Sequence, residues 1–190
     1  MTKKALVLLA DGFEDVEAVT PIDYFRRAGI EVTTVSVSGS LTVTSRWGEI
    51  KLIASTTLAE LTAQDTFDPA SYDAVILPGG IPGVTNLAAS NETGDLIKKI
   101  AAAGKLICAI CAAPAVVLSP LGLLQGKKFT CYQGQEEKAV GGTLVNERVV
   151  TDGNLITSRA AGTTGEWAIT IIKTLINEET ADKIAKTVML

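Results

Sequence analysis

Three unbroken apolar runs of strand length, residues 5–10, 74–77 and 106–110, constrain this chain more than any other feature. A strand with one face in water alternates apolar and polar side chains. An unbroken run implies burial on both faces, the habit of parallel sheets covered by helices. Residues 13–28 and 92–103 have helical spacing and end at Gly29 and Gly104, and residues 163–176 and 180–188 read as two further helices. Residues 31–37, 128–131, 148–152 and 155–158 read as further strands, and residues 41–54 as a short β excursion. The alternation predicts an α/β fold with a mostly parallel sheet and helices on both faces. In such sheets ligands bind outside the carboxyl ends of the strands. Asp11-Gly12, Gly79-Gly80 and Cys111 all fall at such ends.

The third run leads into Cys111, flanked by Ala109, Ala112 and Ala113, and a helix-like run over 115–118 follows at once. That is the layout of a nucleophile elbow, a sharp strand-to-helix turn that accepts only small neighbours. The sulfur would sit at a helix N-terminus, where unpaired N–H groups favour an anion. A thiol there ionises more easily, and the thiolate is the nucleophile. A buried structural cysteine is the alternative reading of the same stretch.

Gly79-Gly80 leaves its strand directly, so its N–H groups could face a ligand as an oxyanion hole does; a plain turn is the alternative. Glu14, Asp15 and Glu17 open the first helix, where acidic residues complement the dipole. Glu17 differs because Pro21 cannot donate to its carbonyl, which predicts a kink beside it. Its carboxyl could approach Cys111 if the two strand ends are neighbours. A thiolate and a carboxylate in contact titrate as a pair, so Glu17 is expected to be protonated and to donate to Cys111. Cys108 lies three strand residues before Cys111, roughly 10 Å away, too far for a disulfide. Cys131, before Tyr132, could be core or could face the site.

Histidine is absent, which removes every Cys-His and Ser-His dyad and makes a zinc site improbable with three scattered cysteines. Proton transfer falls to carboxylate, Lys, Tyr, Cys or water. The odd cysteine count argues for a reducing, cytoplasmic setting rather than a disulfide framework. With 47% apolar and 20% charged residues, the 190-residue chain reads as one globular domain, 1–190. The net charge of −4 and the lack of a basic run argue against nucleic-acid and membrane partners. The apolar run before Asp11 is too short for a signal peptide, and residues 100–124 are interrupted by Lys105, Pro114, Pro120 and Gly122.

Four segments, ALVLLADGFEDVEAVTPIDYFRRAGIEV, YDAVILPGG, LICAICAAPAVVL and LITSRAAGTTGEWAITII, together resemble the DJ-one (ThiJ/PfpI) superfamily in order and spacing. The resemblance is to the branch of the Parkinson-linked protein and its bacterial relatives rather than the protease-like branch. It implies a flavodoxin-like three-layer sandwich and a homodimer. It places the reactive cysteine on Cys111, the partner glutamate on Glu17, the glycine oxyanion pair on Gly79 and Gly80, and Ala112 among the oxyanion and substrate-binding residues. It further implies pocket roles for Ser158, Arg159 and Arg46, and an Arg27 that reaches the partner subunit's site. Some relatives carry a histidine near the cysteine; Cys131 is read as occupying that place and lining the pocket. The implied activities need no cofactor. They are conversion of 2-oxoaldehydes such as methylglyoxal to hydroxy acids and release of early glycation adducts from proteins. The alternative is a redox sensor or chaperone whose Cys111 oxidises to sulfinate.

Overall fold

A computed structural model describes residues 2–190. The chain runs β1 (Lys4–Leu9), α1 (Asp15–Arg27), β2 (Glu31–Ser36), β3 (Thr42–Thr44), β4 (Lys51–Ile53), β5 (Thr56–Thr57) and α2 (Leu58–Thr62). It continues β6 (Ala74–Leu77), α3 (Gly83–Ala89), α4 (Asn91–Ala102), β7 (Leu106–Ile110), β8 (Lys128–Phe129) and β9 (Thr143–Leu144). It closes with β10 (Val149–Asp152), β11 (Leu155–Ser158), α5 (Thr164–Leu175) and α6 (Glu178–Thr187). The main sheet has the order β10-β11-β7-β6-β1-β2-β5. Only the edge pair β10–β11 is antiparallel. Within it, β2-β1-β6-β7-β11 is the doubly wound order in which the chain turns to one side after β1 and to the other from β6 onward. The carboxyl ends of β1 and β6 therefore flank the reversal, with β7 next in line.

Alternation along the apolar strands divides the core into two layers. Leu6, Leu8, Val75, Leu77, Ile107 and Ala109 pack with α2, α3 and α4 on one face. Ala5, Val7, Leu9, Ile76, Cys108 and Ile110 pack with α1, α5 and α6 on the other. Each strand thus feeds both layers, which is why its apolar run has no polar interruption. Side-chain caps start two of the later helices: Ser90 accepts from Thr93 N–H (3.1 Å) at α4 and Asn177 from Thr180 N–H (2.8 Å) at α6. Among the described residues, no helix is long and apolar enough to cross a membrane.

The structure corrects several expected elements. Residues 13 and 14 belong to the turn before α1, because Phe13 N–H closes on Ala10 O (3.1 Å) and Glu14 caps the helix. Helix α1 continues through Pro21, so the absence of its N–H donor to the Glu17 carbonyl does not end the helix. The excursion over 41–54 is an antiparallel pair, β3 with β4. The strand expected over 128–131 stops at Phe129, because Thr130 N–H donates to Thr157 Oγ1 (2.9 Å) instead of a ladder partner. After the elbow, Pro114–Leu118 is a single wide turn closed by Ser119 N–H to Pro114 O (3.0 Å).

Trp167 of α5 is fully buried against the sheet and donates to Ile156 O of β11 (3.3 Å). Trp167→Ala should lose about 3–5 kcal/mol in urea unfolding. A loss below about 1 kcal/mol would contradict the packing of α5 on β11.

Candidate active site

Cys111 follows β7 with φ 63°, a left-handed conformation that side chains rarely adopt. Backbone hydrogen bonds on both sides hold it there. Its N–H donates to Ser158 O (3.0 Å) and its carbonyl accepts from Tyr132 N–H (2.7 Å). Ala112 and Ala113 beneath it are buried, the small neighbours that so sharp a turn requires. The sulfur is thereby lifted off the end of the sheet, half-buried, as the elbow reading expected.

Glu17 arrives from the first turn of α1 and is 1% exposed. Its N–H donates to Glu14 Oε2 (2.8 Å). Its own Oε2 accepts from Gly79 N–H at the end of β6 (2.9 Å). A Cβ on residue 79 would fall 2.4 Å from Glu17 Oε2, 2.6 Å from Cys111 Cβ and 3.1 Å from Cys111 Sγ. Carboxyl and sulfur therefore crowd the same point, and only glycine leaves room for both. Gly80, at φ +95°, is held as tightly from behind, where a Cβ would lie 2.5 Å from Glu14 N and from Gly12 O.

The two glycines do not act alike. Gly79 N–H is committed to Glu17, whereas the N–H groups of Gly80 and Ala112 are directed at the Cys111 sulfur. The donors available to an oxyanion beside the sulfur are Gly80 and Ala112, not the Gly79–Gly80 pair.

Burial, and secondly the nearby Glu14 charge, push the Glu17 carboxyl up to about 7; its contacts with Cys111 and Gly79 and the Arg46 charge only partly oppose this. Burial and then the Glu17 charge push the Cys111 thiol up to about 12, against the pull of the Ala112 and Gly80 amides. This corrects the expectation of an easily ionised thiol. The turn's amides favour the anion, but desolvation and the neighbouring carboxylate outweigh them. Near neutral pH the pocket accommodates one negative charge shared by the two groups, and they titrate as a pair.

The other candidate residues are placed as follows. The Ser158 hydroxyl is buried and engaged with Thr163 Oγ1 (2.6 Å) and Arg148 O (2.9 Å), so Ser158 serves Cys111 through its carbonyl. Arg159 donates to Asn146 Oδ1 (2.6 Å). Its charge eases the ionisation of Cys131, whose thiol burial and Glu136 push up to about 11. Cys131 itself is 2% exposed and belongs to the core layer on the α4 face, with Leu118, Leu124 and Phe129. Cys111 packs against the opposite layer. This placement does not match a pocket-lining Cys131. Tyr132 is the neighbour that bonds the Cys111 backbone, and its side chain is half exposed. The sequence carried no signal for the burial of Cys131, because the segment leaves its strand after Phe129. Arg46 is exposed on the β3–β4 hairpin, stacked 4.6 Å from the Trp47 ring centroid and within electrostatic reach of Glu17. Arg27 pairs with Asp23 (2.7 Å), ten residues beyond Glu17 and about 15 Å along α1, away from this chain's own site. Cys108 is fully buried, with its thiol pushed upward by burial alone. No group of three or more His, Cys, Asp or Glu able to hold a metal ion occurs among the described residues.

Comparison with known proteins gives a consistent picture. Residues 3–174 match the DJ-1/PfpI family. Protein dj-1beta of Drosophila melanogaster is 40% identical over 189 residues, covering 98% of this chain and 96% of the fly protein. The crystal structure of Drosophila DJ-1beta superposes with a TM-score of 0.91 at 37% identity, covering 100% of this chain and 99% of that one. Protein DJ-1 homolog B of Arabidopsis thaliana is 40% identical over 185 residues; the match covers 97% of this chain but only 41% of the plant protein's length. Protein/nucleic acid deglycase 2 of Escherichia coli is 33% identical over 162 residues, 84% of this chain and 90% of that protein.

The raised Glu17 value has a sign that can be checked. Below pH 4.5 folded and unfolded chains both hold the proton, and the site carries no ionic penalty. As pH rises from 4.5 to about 7, the unfolded chain releases the proton first and stability falls; above about 7 the loss is complete, roughly 3 kcal/mol. Glu17→Gln should therefore unfold at higher denaturant than wild type at pH 8 and lose that advantage at pH 4. An equal difference at both pH values would contradict a neutral, buried Glu17 at low pH.

Proposed function

The chain belongs to the DJ-1/PfpI family, and on that premise we propose that it is a cofactor-independent enzyme in which Cys111 attacks small 2-oxoaldehydes, free or as early adducts on protein side chains. The observation that carries this reading is the Glu17–Cys111 pair packed over Gly79, with Gly80 and Ala112 N–H groups aimed at the sulfur. A carboxyl brought to about 7 is matched to moving protons at neutral pH. The deglycase name of the Escherichia coli relative supports the same class of activity. That name extends to nucleic acids; the net charge of −4 here favours small aldehydes and protein adducts instead.

With methylglyoxal the steps balance without a cofactor. The sulfur adds to the aldehyde carbon while its proton passes to Glu17. The new oxyanion is met by Gly80 and Ala112 N–H groups, then takes the proton from Glu17 to give a hemithioacetal. Glu17 next removes the proton from that carbon and returns it to the adjacent one through an enediol, leaving a thioester. Water cleaves the thioester, releasing lactate and restoring the thiol. A sensor whose Cys111 oxidises to sulfinate would use the same thiol but leave a proton carrier tuned near neutrality idle.

The reading also includes a cytoplasmic homodimer. Arg27, remote from its own site, and the exposed Val16 and Val19 of α1 are suited to meet a second subunit. Any segment beyond the length shared with longer relatives would add its own properties.

Methylglyoxal consumption tests the proposal. Cys111→Ser should abolish it, and Glu17→Gln should lower it by about two to four orders of magnitude. Wild-type turnover should survive EDTA, because the chain lacks histidine and its described residues hold no metal-ligand cluster. Near wild-type turnover in Glu17→Gln would remove the proton carrier and with it the mechanism.

A further inference from the structure

We propose that Glu14 is a positioning residue for the Glu17–Cys111 pair: it closes the hydrogen-bonded turn that carries Glu17 and places a second carboxylate beside it. In the sequence Glu14 is an ordinary acidic residue at a helix start. In the structure it closes a ring of three hydrogen bonds. Glu14 N–H donates to Gly79 O (3.0 Å), Gly79 N–H donates to Glu17 Oε2 (2.9 Å), and Glu17 N–H donates to Glu14 Oε2 (2.8 Å). Any movement of Glu14 thus shifts both the backbone that holds the carboxyl and the helix that bears it. The space behind the ring is filled as well, since a Cβ on Gly80 would lie 2.5 Å from Glu14 N.

Position alone would make Glu14 a cap. Its charge makes it more. The groups that act on Glu17 come from four places: Glu14 at the start of its own helix, Arg46 on the β3–β4 hairpin, Cys111 at the end of β7 and the Gly79 N–H at the end of β6. Glu14 favours the protonated carboxyl, second only to burial, and Arg46 opposes it. A helix N-terminus left to itself would favour the charged carboxylate and leave Glu17 a weaker base. Glu14 occupies that terminus and cancels the effect, which keeps Glu17 poised near neutral pH for the chemistry proposed above, on which this inference rests.

The test separates charge from capping. Glu14→Gln keeps a side-chain oxygen for the Glu17 N–H and removes the charge; Glu14→Ala removes both. Glu17 is followed directly by the infrared band of its protonated carboxyl, assigned by its loss in Glu17→Gln, so the readout does not depend on turnover. Glu14→Gln should lower the midpoint of that band by roughly one pH unit, and Arg46→Gln should raise it. The pH midpoint of methylglyoxal turnover should move with it. An unchanged midpoint in Glu14→Gln, or a shift seen only in Glu14→Ala, would reduce Glu14 to a cap and overturn the inference. Absent turnover with the expected infrared shifts would instead count against the aldehyde reading and leave the role of Glu14 standing.

Discussion

The side chain missing from residue 79 is the constraint on which the site depends. Three strand ends converge there, and any Cβ would stand within 2.6 Å of both the Glu17 carboxyl and the Cys111 side chain. Because the space is empty, a carboxyl from the turn after β1 and a sulfur from the turn after β7 meet over the end of β6. The doubly wound strand order makes that meeting possible by setting β1 beside β6 and β6 beside β7 at the point where the chain reverses. Long-range topology brings the two groups together; a single glycine lets them touch.

That contact has an energetic consequence. Two acids buried in one place cannot both be charged cheaply: the Glu17 carboxylate raises the proton affinity of Cys111 beyond what burial alone does, whereas the hydrogen bond from Cys111 eases the ionisation of Glu17. The left-handed backbone of Cys111 adds local strain, held by Ser158 O on one side and Tyr132 N–H on the other. The stability given up in a buried carboxyl and a strained elbow is concentrated where proton transfer and attack on a carbonyl would occur.

Much of this was legible in the sequence because local rules and topology agreed. Unbroken apolar runs gave the central strands β1, β6 and β7, and small residues around Cys111 gave the elbow. Less was legible where tertiary contacts decide. The two-residue strands β5, β8 and β9 carry no periodicity, and α1 tolerates Pro21 because tertiary packing of its apolar face outweighs one lost hydrogen bond. The division of labour between Gly79 and Gly80 depends on where Glu17 Oε2 comes to rest, some sixty residues away in the chain. The placement of Cys131 depends on where β8 ends: the chain turns Cys131 into the core and brings Tyr132 N–H to the Cys111 carbonyl. At Cys111 the amides of the turn can be read from sequence, whereas the desolvation that opposes them cannot.

The central claim is that Cys111 and Glu17 share one negative charge, and the rate of Cys111 carboxymethylation against pH tests it most directly. In wild type the rate should stay low through neutral pH and rise only well above the ordinary thiol value of about 8.5, because burial and the Glu17 carboxylate hold the proton on the sulfur. In Glu17→Gln it should rise at lower pH than in wild type, because burial remains but the carboxylate that holds the proton on the sulfur is gone. Identical profiles in the two proteins, whatever their midpoint, would contradict the account.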